Sequence, residues 1–212
     1  MSNQNSGWAN PMPAGLTALT IAVFIFYAIL TGKVTHDALP IAGIWLICGF
    51  FVQMAVGIIE LREGAITGGN TFTFFSAYFM LATGLVWVFE YFGAINGWKF
   101  DAHIIGYTWL AITMVLWLQM PSFAKTMPLT VFILICIMNL CLPIITGMNL
   151  GLLNPKVFGP IAGNLAGLSG LFGAYSAAAA MNNTVFGRQI FPFPGPVIKA
   201  KPQPIQNRGQ AL

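Results

Sequence analysis

Apolar residues fall into long blocks separated by short polar punctuation. No charged residue precedes Lys33, and the stretches 38–59, 64–89, 102–124, 126–155 and 157–187 carry none either. A membrane-spanning helix needs roughly 20 mostly apolar residues. The blocks therefore predict six spans, near 15–32, 40–61, 70–92, 103–120, 127–148 and 158–182. A spanning β-barrel would instead show alternating segments of roughly ten residues. Runs such as Ile133–Cys136 and Ala177–Ala180 do not alternate, and an open sheet would leave its edge amides unpaired in lipid. The predicted class is an all-α membrane protein, a bundle of six transmembrane helices. The chain divides into an N-terminal segment 1–14, a transmembrane domain 15–182 and a C-terminal tail 183–212.

Composition agrees. Of 212 residues, 57% are hydrophobic and 7% charged, against roughly a quarter charged in a soluble domain. Nine Lys and Arg against five Asp and Glu leave a net charge of +4. That is too sparse for a phosphate-binding face, which excludes nucleic acid as a partner. Basic residues near span ends set orientation. Arg62, Lys125, Arg188, Lys199, Lys201 and Arg208 share a side with both termini, whereas Lys33, Lys99 and Lys156 lie opposite. The bias predicts cytoplasmic termini in a multi-pass protein of the inner or plasma membrane. Residues 1–14 lack the basic start of a signal peptide. Pro192, Pro194, Pro196, Pro202 and Pro204 predict an extended, mobile tail from Phe191 onward.

Little of the chemistry an enzyme needs is present. Cys48, Cys136 and Cys141 lie mid-span in odd number, against a disulfide framework. His36 and His103 sit in a loop and at a span end, unsuited to haem ligation. No Cys/His spacing suggests zinc, and no Ser/His/Asp set is apparent. The expectation is a non-enzyme without metal or cofactor. Ionisable residues within a membrane are functional hypotheses by default. Glu60 and Glu90 qualify, both near span ends. A pathway with so little charge suits neutral solutes or small monovalent ions met by amides, hydroxyls and helix ends. Gln53 and Asn139 are the costliest mid-span polar residues and the strongest candidates for contacts along such a path.

Two strings carry backbone information. In Asn10-Pro11-Met12-Pro13-Ala14-Gly15-Leu16, prolines interrupt hydrogen bonding just before a helix, Asn10 can cap a turn, and Gly15 permits close approach. The string reads as a helix start, or as a helix N-terminus held at a pore mouth. Gly159, Gly163 and Gly167, followed by Gly170 and Gly173, place small residues on one helix face for tight packing. In the aromatic run Phe72–Phe79, one ring can close an apolar constriction that gates by dewetting.

The first string resembles the Asn-Pro-Ala-Pro-Leu-Gly-Leu signature of the acetate uptake transporter family, the succinate–acetate permeases. Gly57-Ile58-Ile59-Glu60 with Gly64 is similar to that family's second-helix end. Ala162-Gly163, Gly170 and Tyr175 are similar to its last helix, and Phe186-Gly187-Arg188 with Pro192 to its C-terminal motif. The resemblance implies a six-helix protomer with its own pathway, assembly as a hexamer, and passage of acetate or, in some members, succinate. It also implies an apolar constriction at Leu19, Phe75 and Ile137, with Phe74 as the rival of Phe75. Asn10, Gly15, Gln53 and Asn139 are the expected pathway contacts. Glu60 is expected to organise the cytoplasmic end or to carry a proton in symport, the alternative being an anion channel. Leu19 and Phe75 stand where the family has Phe and Tyr, which removes a phenolic donor. The other readings are a channel for urea, ammonia or water, and a non-transporting membrane subunit.

Overall fold

The computed structural model describes residues 8–199, and those residues build helices and no strand. The helices are α1 (Met12–Leu30), α2 (Leu39–Arg62), α3 (Ile66–Asn96), α4 (His103–Leu118), α5 (Met120–Thr126), α6 (Leu129–Asn149) and α7 (Pro155–Val185). Five are long and apolar enough to cross a membrane, and α4 with α5, a pair bent by 48°, meet the same measure together, which gives five to six candidate spans. The chain is a multi-pass helical membrane protein.

Helix ends differ from expectation for local reasons. α1 opens at Met12, three residues before Gly15, because Asn10 Oδ1 accepts the Met12 N–H at 3.0 Å and Pro13 lies in the first turn. α3 extends to Asn96, where Gly97 at φ 66° lets Trp98 N–H reach the Gly93 carbonyl at 2.9 Å. Within α3, Phe75–Ala82 is π-helical. Such wide turns are rare and cluster at functional sites. This one brings Phe75, Ser76, Phe79 and Met80 together on the buried face. The fourth span does not run straight to residue 120 as expected. It breaks at Gln119, ahead of Pro121, whose ring cannot continue the helical ladder.

Glycines set the helix spacing. Along α7 each rung meets α1. A Cβ on Gly163 would lie 2.8 Å from Thr31 Cγ2, on Gly167 3.1 Å from the Tyr27 ring, on Gly170 2.8 Å from Val23 Cγ2, and on Gly173 2.7 Å from Thr20 Oγ1. The glycine stripe is thus a packing face. α2 and α3 approach as closely: a Cβ on Gly43 would lie 2.5 Å from the Gly84 carbonyl oxygen.

The packed neighbours run α3–α2–α1–α7–α6–α4, an arc whose end helices, α3 and α4, barely touch. Short α5 meets the first turns of α3 and closes the arc on the side of the termini. On the opposite side the arc stays open. Large apolar residues such as Ile41, Phe51, Ile58 and Leu118 are exposed on the outer surface, where lipid is the solvent.

The segment after α7 is extended but not free. Asn183 Oδ1 accepts the Ile190 and Phe191 N–H groups at 2.7 and 2.9 Å. Tyr175 Oη donates to the Pro192 carbonyl at 2.7 Å. Leu129 N–H donates to the Pro194 carbonyl, and Ile198 N–H to the Ala124 carbonyl, at 3.0 and 2.9 Å. Residues 190–198 therefore form a strap across α5 and the start of α6. This corrects the expected mobility of that stretch, since prolines that cannot join a helix still leave carbonyls to accept. Lys201, Pro202, Pro204 and Arg208 lie outside the described residues.

Candidate functional site

The arc encloses one apolar core, whose make-up can be followed along α1. At a rise of about 1.5 Å per residue, Gly15, Leu19 and Phe26 mark successive levels spread over roughly 16 Å.

The first level lies on the side of the termini. Gly15 is pressed under α3, where a Cβ would lie 2.6 Å from Phe72 Cε1. Gln53, 1% exposed, donates its Nε2–H to the Gly15 carbonyl at 3.1 Å, while its buried Oε1 has no partner among the described residues. The structure thus joins two of the expected pathway residues in one contact between α1 and α2. Asn10, the cap of α1, is exposed just outside this level. Glu60 is 6% exposed and lies against Gly68, whose missing side chain leaves room for the carboxylate. Its carboxylate makes no ion pair among the described residues.

The middle level holds Leu19 and Phe75, both members of the buried core. Phe74 packs against that core from its edge and lines the cavity described below, so the two neighbouring rings have different surroundings. Ile137 is half-buried and is not brought into this cluster. The α6 residues that are include Leu134, Ile135 and Met138. Leu134 also approaches α7, with its Cδ1 3.4 Å from where a Cβ on Gly173 would stand. Asn139 is elsewhere again. Its carbonyl accepts the Trp117 indole N–H at 3.1 Å, and its buried Oδ1 has no partner among the described residues. Two turns farther along α6, Thr146 Oγ1 lies 3.2 Å from Thr113 Oγ1 of α4. Asn139 therefore belongs to the face of α6 that meets α4.

The third level is aromatic. Phe26 stacks on Phe79 with ring centroids 5.1 Å apart, and Trp109 meets both edge-on at 6.0 and 5.9 Å. Phe75 reaches Phe79 from below at 5.5 Å. A cavity of about 630 Å³ lies between α3 and α4, lined from Phe74 to Glu90 along α3 and from Ile104 to Val115 along α4. Phe26 and Trp109 of the aromatic cluster line it, with Trp87, Ile112 and Ile145. Among the described residues Glu90 is the only charged one lining it, and no Lys, Arg or His does.

Sequence reasoning missed Phe26, Phe79, Trp87 and Trp109. Phe26 carried a signal, since it stands two helical turns after Leu19 and shares its face. Trp109 carried none, because only packing shows which rings of three helices meet. Most mid-span hydroxyls are spent on their own helices: Thr20 donates to the Leu16 carbonyl and Thr113 to the Trp109 carbonyl, each at 2.8 Å. Among the described residues no group of His, Cys, Asp and Glu is placed to hold a metal ion.

No family model matches the chain, and no curated protein matches it. Among solved structures it is similar to the structure of the bacterial acetate channel SatP, at 18% sequence identity. The alignment covers 88% of this chain and 99% of that chain, with a TM-score of 0.70. The chain has the fold of that channel.

Proposed function

We propose that this protein is a permease or channel for small monocarboxylates, chiefly acetate. The observation that carries the reading is the graded core. An apolar cavity borders a closely packed aromatic cluster, and the chain around it has the fold of an acetate channel. Apolar constrictions of this kind pass small solutes by wetting and dewetting. The proposed route runs from the cavity past Phe26, Phe79 and Trp109, between Leu19 and Phe75, to the level of Gly15 and Gln53. Leu134, in the same cluster as Leu19, supplies the α6 side of the narrow part in place of Ile137. In this reading the termini are cytoplasmic, the membrane is that of the cell, and six copies assemble with one pathway each. Glu60 closes the cytoplasmic end as a structural acid against Gly68.

The test is labelled acetate uptake into proteoliposomes with the pH gradient and the voltage set separately. Uptake above empty vesicles is expected. Flux that follows voltage and carries current identifies an anion channel, and electrically silent flux that follows the pH gradient identifies proton symport. Absence of uptake under either driving force overturns the proposal.

A further inference from the structure

We propose that the gap between α3 and α4 holds an acyl chain of one phosphatidylethanolamine molecule, with the headgroup ammonium on Glu90. The site concerns the bilayer rather than the solute and goes beyond the transport reading.

Two stripes bound the gap. Phe74, Tyr78, Ala82, Val86 and Glu90 stand every four residues along α3. Ile104, Thr108, Ala111 and Val115 stand at spacings of four, three and four along α4. Such spacings put each set on one helix face. Both sets line the cavity, so the two faces confront one another across it. The helices barely touch, and Tyr78, Ile104 and Val115 line the cavity while also being exposed on the outer surface. The cavity is therefore open sideways, to lipid.

Its dimensions select the occupant. At about 1.5 Å per residue the gap runs roughly 24 Å along α3 and roughly 16 Å along α4. One leaflet contributes about 15 Å of hydrocarbon. A volume of about 630 Å³ over that length leaves a cross-section of roughly 40 Å². A helix with its side chains is about 10–12 Å across and needs at least about twice that area, whereas a hydrocarbon chain fits. The walls suit a tail: Phe74, Ala82, Val86 and Ile112 present hydrocarbon. Thr83 and Thr108 spend their hydroxyls on the Tyr78 and Ile105 carbonyls, at 3.4 and 2.7 Å.

The headgroup follows from one end of the gap. Glu90 stands six residues before the end of α3 at Asn96. Beside it, Trp98 and Phe100 of the next loop pack on Phe89, with ring centroids 5.3 and 5.4 Å from it. Such aromatic residues gather at headgroup level. Glu90 is half-buried and makes no ion pair among the described residues, and His36 stacks on Tyr91 at 6.0 Å rather than pairing with it. A primary ammonium brings both positive charge and N–H donors to this carboxylate. A choline headgroup has the charge without the N–H, and a glycerol headgroup leaves the phosphate charge facing Glu90 unopposed. The bound lipid completes the wall that α3 and α4 leave open.

The test is native mass spectrometry of delipidated protein in detergent, titrated with dioleoyl phosphatidylethanolamine, phosphatidylcholine and phosphatidylglycerol, with thermal unfolding in parallel. One phosphatidylethanolamine per chain is expected to bind about tenfold tighter than either other lipid, matching one charge-assisted hydrogen bond. Glu90→Gln is expected to erase that preference while leaving a dioleoyl lipid bound. Ala111→Trp, on the exposed face of α4, fills the gap and is expected to weaken all three lipids by roughly tenfold or more without lowering the lipid-free unfolding midpoint. Dihexanoyl phosphatidylethanolamine keeps the headgroup and shortens the tails, and is expected to bind at least about a hundredfold more weakly, at roughly fourfold per buried methylene. Equal binding of the three headgroups, a preference that survives Glu90→Gln, or binding indifferent to Ala111→Trp overturns the inference. So does a multimer that Ala111→Trp separates with no change in bound lipid, which assigns the gap to a second copy of the chain. Lipid counts do not depend on acetate uptake, so the transport reading stands or falls separately.

Discussion

Trp117 donates its indole N–H to the Asn139 carbonyl across 3.1 Å, and Asn139 stands four residues before Pro143. Proline has no N–H, so the Asn139 carbonyl lacks its intrahelical donor. In lipid no water can replace it. The indole of α4 fills that gap and lets α6 carry a proline at mid-membrane.

Trp117→Phe is accordingly expected to cost about 1 kcal/mol, the usual size of such a bond in membrane bundles and proteins generally. Pro143→Ala restores an N–H at the right position, so the cost of Trp117→Phe should largely vanish in that background. Thermal unfolding midpoints of the four variants in detergent close the cycle, and equal losses in both backgrounds would refute the coupling.

Gly43 and Gly84 predict a harsher outcome. A Cβ on Gly84 would lie 2.6 Å from the Gly43 carbonyl oxygen, as one on Gly43 would from that of Gly84, at 2.5 Å. Backbone cannot step aside as a side-chain tip can. Either glycine changed to alanine is expected to destabilise the protein by about 1–3 kcal/mol, the range for overpacking. Gly195→Ala, with open space around it, is the control and should leave the unfolding midpoint unchanged.

Much of this architecture is legible in the charge-free runs and the glycine spacing, because both are local statements about lipid and close approach. The π-helical stretch of α3 is not legible, since Phe75–Ala82 has the composition of any apolar helix. The bend at Gln119 was readable in principle from Pro121, yet hydropathy runs straight through it. Leu19 and Phe75 lie in the buried core. Ile137 misses it because a helix face is set by phase, and a shift of one residue rotates a side chain by about 100°. The aromatic cluster escaped for a different reason. Its rings come from three helices, and no spacing along one helix reports on another.

The strap yields a third prediction. Asn183 bonds Ile190 and Phe191 through Oδ1, and its Nδ2 donates to the Phe191 carbonyl at 2.8 Å. Asn183→Ala removes all of these contacts. Amide exchange at Leu129 and Ile198 is expected to quicken by roughly tenfold or more, matching about 1.4 kcal/mol or more of lost docking. Unchanged exchange at both sites would mean that the strap is held without Asn183.

A fourth concerns pH. The Asp101 carboxylate accepts the His103 N–H at 3.0 Å and lies 2.6 Å from its Nδ1. The backbone donor first, and the imidazole second, hold its carboxyl below the usual aspartate value. A carboxyl whose value is lowered by folding contributes fully above its unfolded value, near 3.9, and loses that contribution as the pH falls through the folded one. Amide protection at the start of α4 should therefore hold steady from neutral pH to about 4 and decline below it. Asp101→Asn should flatten that decline, and a decline that persists in the variant would assign it to another group.

The strap also bears on how the protein is made. Residues 190–198 lie beyond the last membrane crossing, yet they bond to Ala124 and Leu129, which flank the end of α5. During synthesis the fourth and fifth crossings must enter the bilayer with that elbow unfastened. Only when the final helix is inserted, and the chain beyond it released, can the elbow acquire these hydrogen bonds. Residues 190–198 thus complete a joint laid down some seventy residues earlier, which ties its maturation to insertion of the helix that precedes them.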